Sequence, residues 1–194
     1  MGVEEVDRGL RILFRSARMA LPALILLGLL ISQGCTSSTS YVPSDQQNGS
    51  NLPPAPEVGR LAPDFSLTDL GANEVKLSEF RGGVVFVYFW SVSCPACRDE
   101  FAKIEALYQK YRDKGVTFIG VDLLEPEYRV RQFVQQGGYP WTFVIDTSGQ
   151  VARNYRVATI PTSFVVDREG TIGLVSIGAM NKKITEGWLD QATK

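Results

Sequence analysis

The chain has 194 residues, a hydrophobic content of 44% and a formal net charge of −1. This length and composition suit one packed domain with some additional sequence, and the mixed, nearly balanced charge argues against a nucleic-acid-binding surface. The chain contains no histidine, so the most common general base and the usual nitrogen ligand of zinc and copper are missing, and sulfur or carboxylates must supply any chemistry.

The N-terminal segment has the features of an export signal. Arginines precede an apolar run over residues 20–31, which is shorter than the roughly 20 residues of a bilayer span and typical of a signal peptide. Gly34 and Cys35 then resemble the end of a bacterial lipoprotein signal, although the residues just before them fit that pattern imperfectly. We predict a signal peptide or membrane anchor over residues 1–34, with Cys35 as a lipidation site or, alternatively, an uncleaved anchor.

Residues 35–57 differ in composition from the rest of the chain. They are polar and rich in serine, proline and asparagine, so they cannot bury enough apolar surface to offset the cost of ordering. We predict a flexible linker over 35–57 and a folded domain over 58–194. Either kind of N-terminal tether would place that domain on the extracytoplasmic face of the cytoplasmic membrane.

The first elements of this domain are predicted from turn signals and hydrophobic patterns. Segments 64–67 and 74–77 flank a turn and suggest a β-hairpin. Residues 84–90, with the sequence VVFVYFW, form a continuous β-branched and aromatic run that is typical of a strand buried on both faces. Helical apolar spacing over 96–114, ended by Gly115, predicts a long helix after that strand.

The later segments continue the alternation of strands and helices. In chain order, the predicted elements are a strand over 116–121, a helix over 126–136, a strand over 141–145, a short helix over 151–155, a hairpin of strands over 163–167 and 172–177, and a helix over 184–191. This order predicts an α/β fold with a central mixed sheet that has helices on both faces.

Cys94 and Cys97 form a CxxC motif at the junction between strand 84–90 and the following helix. Pro95 suits a first helical turn, because its missing N–H would have no helical partner there. Cys94 would then lie at the positive end of the helix dipole, which stabilises a thiolate, and Cys97 would lie one turn further on. Thiol–disulfide exchange needs only such a pair, with no imidazole, metal or other cofactor.

Two other roles for these cysteines are less favoured. A closed zinc site requires four ligands, and the chain has three cysteines and no histidine. A structural disulfide that closes so short a loop would stabilise the fold by only about 2 kcal/mol, and strained geometry would reduce that. A CxxC motif within a βαβ pattern therefore favours redox chemistry and predicts no bound metal.

Several motifs resemble the redoxin (AhpC/TSA) branch of the thioredoxin superfamily, in particular the extracytoplasmic thiol–disulfide oxidoreductases of the TlpA and ResA type. The resemblance extends over about residues 58–194 and is carried by LAPDFSL, VKLSEFRGGVVFVYFWSVSCPACRDEF, GVTFIGVD and ATIPTSFVVDREG. It implies a thioredoxin-like fold with an N-terminal β-hairpin extension.

The resemblance also implies roles for individual residues. In that family the first cysteine attacks a substrate disulfide and the second resolves the mixed disulfide, which corresponds to Cys94 and Cys97. A cis-proline faces the pair, and by position this is Pro161, where the backbone of Ile160 would pair with an incoming peptide. We assign Pro95 to the same substrate-binding surface.

Two further site residues are left with open alternatives. Glu100 stands where ResA-like proteins have an active-site glutamate, and it could exchange protons with Cys97, whereas its spacing alone favours a solvated helix residue. Trp90 is assigned to substrate binding, although plain core packing explains it as well. Tyr88 occupies the position of the buried aspartate of thioredoxin itself, so deprotonation of Cys97 cannot follow the thioredoxin route unchanged.

The expected function is reduction of disulfides in extracytoplasmic proteins. The resemblance implies protein substrates such as apocytochrome c, a role in cytochrome c biogenesis, and electrons from a membrane thiol carrier of the CcdA or DsbD kind. The redox potential, and hence the direction of electron flow, does not follow from sequence, because related CxxC proteins range from about −270 to about −120 mV.

Three alternative functions are considered. A peroxiredoxin-like peroxidase has a similar opening segment, and Ser91 fits its pattern whereas Val87 does not. A copper-delivery protein of related fold is disfavoured because it uses a histidine and a wider cysteine spacing. A membrane-tethered binding module with a non-catalytic disulfide would keep its activity when Cys94 is replaced.

Overall fold

The computed structural model describes residues 53–194. The predictions for the export signal, for Cys35 and for the linker up to residue 52 lie outside the described residues. Within the described part, Ala55 is buried and its amide donates to the Leu61 carbonyl oxygen over 2.9 Å. No helix in residues 53–194 is long and apolar enough to cross a membrane.

The described chain alternates between strands and helices, as the sequence predicts. The elements are β1 (Ser66–Thr68), β2 (Glu74–Lys76), β3 (Val84–Trp90), α1 (Pro95–Tyr111), β4 (Val116–Leu123), α2 (Glu127–Gly137), β5 (Thr142–Asp146), α3 (Gln150–Asn154), β6 (Thr162–Val166), β7 (Ile172–Ile177) and α4 (Lys182–Ala192). Short 3₁₀ turns follow β2 and α1.

A five-stranded sheet in the order β5-β4-β3-β6-β7 forms the centre of the domain. Strands β3, β4 and β5 are parallel, whereas β6 pairs antiparallel with β3 and β7 antiparallel with β6. Strands β1 and β2 form a separate antiparallel hairpin. The predicted mixed sheet with an N-terminal hairpin is therefore confirmed.

Strand β3 is buried along its whole length because both faces of the sheet are covered. Its even-numbered residues, including Phe86 and Trp90, pack against α1, α2 and α4. Its odd-numbered residues, including Val87 and Phe89, pack against α3 and the hairpin region. The period of two along the strand thus divides one hydrophobic run between two cores.

Several predicted boundaries differ from the structure for local reasons. Asp64, predicted within the first strand, precedes β1, and its Oδ1 accepts a hydrogen bond from the Ser78 amide over 2.9 Å. Helix α4 begins two residues before the predicted start at 184, because the Asn181 side chain accepts from the Ile184 amide as an N-cap. Strand β4 continues to Leu123, since β5 pairs with it as far as Asp146.

The topology places the connection after β3 and the connection before β6 at the same end of the sheet. The chain leaves β3 after Trp90 and enters α1, and it enters β6 from the segment that contains Pro161. Because β6 is antiparallel to β3 and pairs Thr162 with Phe89, the start of β6 lies beside the end of β3. The CxxC motif and the Ile160–Pro161 segment are therefore brought together.

Candidate active site

Cys94 and Cys97 are joined by a disulfide at the start of α1, with their Cα atoms 5.2 Å apart. Cys94 is the N-cap residue, and its Sγ accepts a hydrogen bond from the Cys97 amide over 3.1 Å. Pro95 occupies the first helical turn, as predicted, and it is exposed. A sulfur at this position is stabilised as a thiolate by the free amides and the dipole of the helix.

The two sulfurs differ in accessibility. Cys94 is partly buried, whereas Cys97 is 0% exposed and packs into the core with Phe101. A thiol or disulfide that arrives from solvent therefore meets Cys94 first. This asymmetry suits an attacking and a resolving cysteine.

The backbone before β6 faces Cys94. The Ile160–Pro161 peptide bond is cis, and the Ile160 carbonyl oxygen lies 3.9 Å from Cys94 Sγ. Pro161 is buried, and its carbonyl oxygen accepts from the Gly178 amide over 2.8 Å, while Ile160 remains partly exposed. The structure thus brings the predicted residues Ile160 and Pro161 to the dithiol.

Glu100 is buried rather than solvated, with 2% of its surface exposed. Its Oε1 accepts from the Met180 amide over 2.6 Å and lies 3.9 Å from Lys103 Nζ, while Oε2 has no hydrogen-bond partner among residues 53–194. Burial raises the pKa of Glu100 above its ordinary value. The carboxyl therefore keeps its proton to higher pH than a surface glutamate does.

Tyr88 links β3 to the start of α1. Its hydroxyl donates to the Cys97 carbonyl oxygen over 3.0 Å, and its ring packs edge-on against Phe101. Burial, and the charge of Glu100 beside it, raise the pKa of Tyr88 well above its ordinary value. At the position of the thioredoxin aspartate, this chain therefore has a neutral hydrogen-bond donor.

Trp90 lies in the core and not on an exposed surface. It is 0% exposed, and its ring centre is 4.7 Å from that of Phe101 and 5.3 Å from that of Phe133. Its side chain packs in the core at the end of β3, so a substrate that arrives from solvent does not contact it in this arrangement. Of the four residues assigned to substrate binding, Pro95 is exposed and Ile160 partly exposed, whereas Trp90 and Pro161 are buried.

The sequence interpretation missed two carboxylates beside the dithiol. Asp122, at the end of β4, is 0% exposed and pairs with Trp90 in the strand register. Glu125 is 8% exposed, and its carboxylate accepts from the amides of Val92 and Ser93 over 2.5 and 3.2 Å. An aspartate that ends a buried parallel strand is the signal that could have indicated this pair, because the carboxyl ends of such strands border ligand sites.

The two carboxyl groups differ in their electrostatics. Burial, together with the neighbouring Glu125, raises the pKa of Asp122 to about 8. Burial acts in the same direction on Glu125, but hydrogen bonds from Asp122 and from the Val92 amide outweigh it and lower the pKa of Glu125. In the part of the chain that the structure describes, no group of three or more cysteine, aspartate or glutamate side chains is arranged to hold a metal ion.

Comparison with known sequences identifies the family. The AhpC/TSA family model matches residues 58–175. The thiol-disulfide oxidoreductase ResA of Geobacillus kaustophilus is 34% identical over 176 residues, which cover 91% of this chain and 97% of that protein. ResA of Bacillus anthracis is 35% identical over 137 residues, which cover 71% of this chain and 79% of that protein.

Solved structures agree with the sequence comparison. A Chlorobium tepidum protein assigned as a thiol:disulfide interchange protein DsbE has a TM-score of 0.67 at 33% identity, over 71% of this chain and 99% of that chain. The thioredoxin domain of a Bacteroides vulgatus thiol-disulfide oxidoreductase has a TM-score of 0.63 at 27% identity, over 69% of this chain and 98% of that domain. The protein therefore belongs to the AhpC/TSA family and is a ResA-like thiol–disulfide oxidoreductase with a thioredoxin-like fold.

Proposed function

We propose that this protein reduces disulfides in extracytoplasmic proteins through the Cys94–Cys97 pair. The observation that carries the proposal is the position of Cys94, which caps α1, is partly exposed, and lies 3.9 Å from the Ile160 carbonyl oxygen. An extended client segment can pair with the backbone at Ile160 and thereby bring its disulfide to Cys94.

The proposed reaction begins with the reduced protein. The Cys94 thiolate attacks one sulfur of the client disulfide, forming a mixed disulfide, and the other client sulfur leaves as a thiolate that takes up a proton. Cys97 then loses its proton and attacks Cys94 Sγ. This step releases the second client thiol and leaves the Cys94–Cys97 disulfide, so two electrons pass to the client.

Glu100 is the proposed proton acceptor for Cys97. It lies three residues further along α1, is buried, and has an oxygen without a hydrogen-bond partner among the described residues. A carboxyl whose pKa is raised matches the thiol more closely than an ordinary glutamate does, which favours proton transfer between them.

The biological setting is also a proposal. The apolar segment over residues 20–31 and Cys35 support a membrane tether on the extracytoplasmic side. The resemblance to the TlpA and ResA type implies clients such as apocytochrome c, and a membrane dithiol carrier of the CcdA or DsbD kind would return two electrons to the disulfide after each cycle.

The midpoint potential of the Cys94–Cys97 couple tests the proposed direction. The protein is equilibrated with reduced and oxidised dithiothreitol or glutathione, and the fraction of oxidised protein is measured by thiol alkylation. A potential nearer to about −270 mV, like that of thioredoxin, supports the reductase. A potential near about −120 mV, like that of DsbA, would reject reduction in favour of disulfide formation.

A further inference from the structure

Asp122 and Glu125, here called the acid pair, form a buried contact beside the active site. Neither Asp122 oxygen has a hydrogen-bond partner among residues 53–194. The two side chains nevertheless act on each other, since Glu125 raises the pKa of Asp122 and Asp122 lowers the pKa of Glu125. Ionised carboxylates can only accept hydrogen bonds, so this buried contact is favourable when one of the two holds a proton.

The surroundings indicate that the proton lies on Asp122. Glu125 accepts from two backbone amides, and its Oε1 lies 3.4 Å from Arg129 Nη1, so its ionised form is well compensated. Asp122 is fully buried, and the nearby amides of Glu125 and Val92 only partly offset the cost of its burial, so its ionised form is compensated less well. A protonated Asp122 can donate a hydrogen bond to Glu125, so the buried Asp122 carboxyl gains a hydrogen-bond partner.

The dithiol loop, defined as residues 91–93, depends on these contacts. Glu125 holds the amides of Val92 and Ser93, while the Val92 carbonyl oxygen accepts from Arg98 Nη1 over 3.2 Å. The Cys94 amide donates to the Ser91 carbonyl oxygen over 3.1 Å. A shift of the Glu125 carboxylate would therefore move the backbone that leads directly into Cys94.

We propose that the acid pair positions Cys94, with the proton on Asp122 keeping Glu125 bound to the Val92 and Ser93 amides. When Asp122 releases this proton to solvent, two like charges face each other in a buried site and repel. The hold of Glu125 on the dithiol loop then weakens, and exchange at Cys94 becomes slower. Both residues act through the loop, so they are positioning residues and not catalytic ones.

Other charged groups near the acid pair define the controls. Asp69 and Glu127 line a cavity together with Glu125, and Glu127 forms an ion pair with Arg131.

Asp146, on β5, accepts a hydrogen bond from the Ala152 amide. Ile145 is the register partner of Asp122, so Asp146, the next residue on that strand, points to the opposite face of the sheet. Arg129 is paired with Glu125, Arg98 donates to the Val92 carbonyl oxygen, and Glu100, further along the dithiol helix, is bound to the Met180 amide. Substitution of Glu127 by Gln is a matched change of charge at a residue outside the pair.

The first test follows the dithiol loop in the oxidised full chain, in which Cys94 and Cys97 cannot titrate. The amide nitrogen chemical shifts of Val92 and Ser93 are measured by NMR roughly between pH 6 and pH 9. We expect them to titrate together with the Asp122 carboxyl, near the pH of about 8 given by its pKa. The titration should vanish in Asp122→Asn and persist in Glu127→Gln. Constant shifts in the unmodified protein, or the same titration in Asp122→Asn, would overturn the proposal.

The second test measures the rate at which the reduced full chain reduces a model disulfide. Asparagine at position 122 can still donate to Glu125 but cannot ionise, so the ratio of the unmodified rate to the Asp122→Asn rate isolates the effect of that ionisation. We expect a ratio near one below neutral pH and a fall of roughly three- to tenfold by pH 9, since small displacements of a reacting group are costly. A ratio that stays constant across this range would contradict the proposal. Neither test depends on the direction of electron flow in the cell.

Discussion

Glu100 and Met180, which are 80 residues apart in the chain, are joined by a 2.6 Å hydrogen bond from the Met180 amide to Glu100 Oε1. This bond ties α1 to the segment between β7 and α4 and fixes the orientation of the Glu100 carboxyl. The second oxygen of that carboxyl is left without a partner in the described part of the chain. One oxygen therefore holds the Glu100 carboxyl in place, and the other is the one to which we assign the proposed proton exchange with Cys97.

Substitution of Glu100 by Gln should slow the resolving step while sparing the attack by Cys94. Glutamine keeps the hydrogen bond from Met180 but cannot accept a proton, so the mixed disulfide should resolve at least about tenfold more slowly. In the unmodified protein this step should accelerate as pH rises through the raised pKa of Glu100, because only the ionised carboxyl accepts a proton. The decay of the mixed disulfide is measured by rapid acid quench over a range of pH.

Asp99→Asn is the control for this experiment, since Asp99 neighbours Glu100 but is exposed. It should resolve the mixed disulfide at the unmodified rate. Equal rates in Glu100→Gln and the unmodified protein at every pH would remove Glu100 from the mechanism.

Substitution of Tyr88 by Phe should lower the free energy of unfolding by about 1 kcal/mol. The hydroxyl donates to the buried Cys97 carbonyl oxygen over 3.0 Å, and phenylalanine would keep the ring packing against Phe101 but lose this bond. Urea unfolding monitored by circular dichroism measures the change. Tyr108→Phe is the matched control and should have almost no effect, because that hydroxyl lies on the exposed side, 3.5 Å from the Pro140 carbonyl oxygen. Equal losses in the two variants would contradict the assigned role of Tyr88.

Stability should fall with rising pH because of Asp122. Its pKa is 3.8 in an ordinary environment and about 8 in the folded protein, so between these values the folded chain holds a proton that the unfolded chain has released. The stabilisation that this proton gives is greatest below the ordinary pKa and is lost as pH rises towards 8. Relative to Asp122→Asn, the unmodified protein should lose at least about 2 kcal/mol between pH 5 and pH 8.

Urea unfolding of the two oxidised proteins at several pH values measures this difference. The comparison between variants cancels the contributions of titrating groups that do not interact with Asp122. A difference that does not change with pH would show that Asp122 does not carry the proton assigned to it.

Much of the fold could be predicted from local sequence. The run of apolar residues from Val84 to Trp90 gave the bounds of β3, because burial on both faces requires such a run. Pro95 and the apolar spacing after it located the start of α1, and with it the position of Cys94 at a helix N-terminus. These features depend on residues within one or two turns of one another.

The rest of the site could not be predicted because it depends on long-range contacts. The burial of Glu100 follows from the loop at Met180, and the hydrogen bond from Val92 to Glu125 spans 33 residues. Asp122 is placed beside Trp90 by the register of two parallel strands, which local patterns do not specify.

Trapping of mixed disulfides tests the central claim that Cys94 attacks and Cys97 resolves. The full chain is prepared as Cys97→Ala and as Cys94→Ala, each is incubated with a protein that contains a disulfide, and the adducts are separated on non-reducing gels. We predict a stable adduct with Cys97→Ala and none with Cys94→Ala, because Cys97 is 0% exposed. An adduct formed equally well by Cys94→Ala, or by neither variant, would contradict the account.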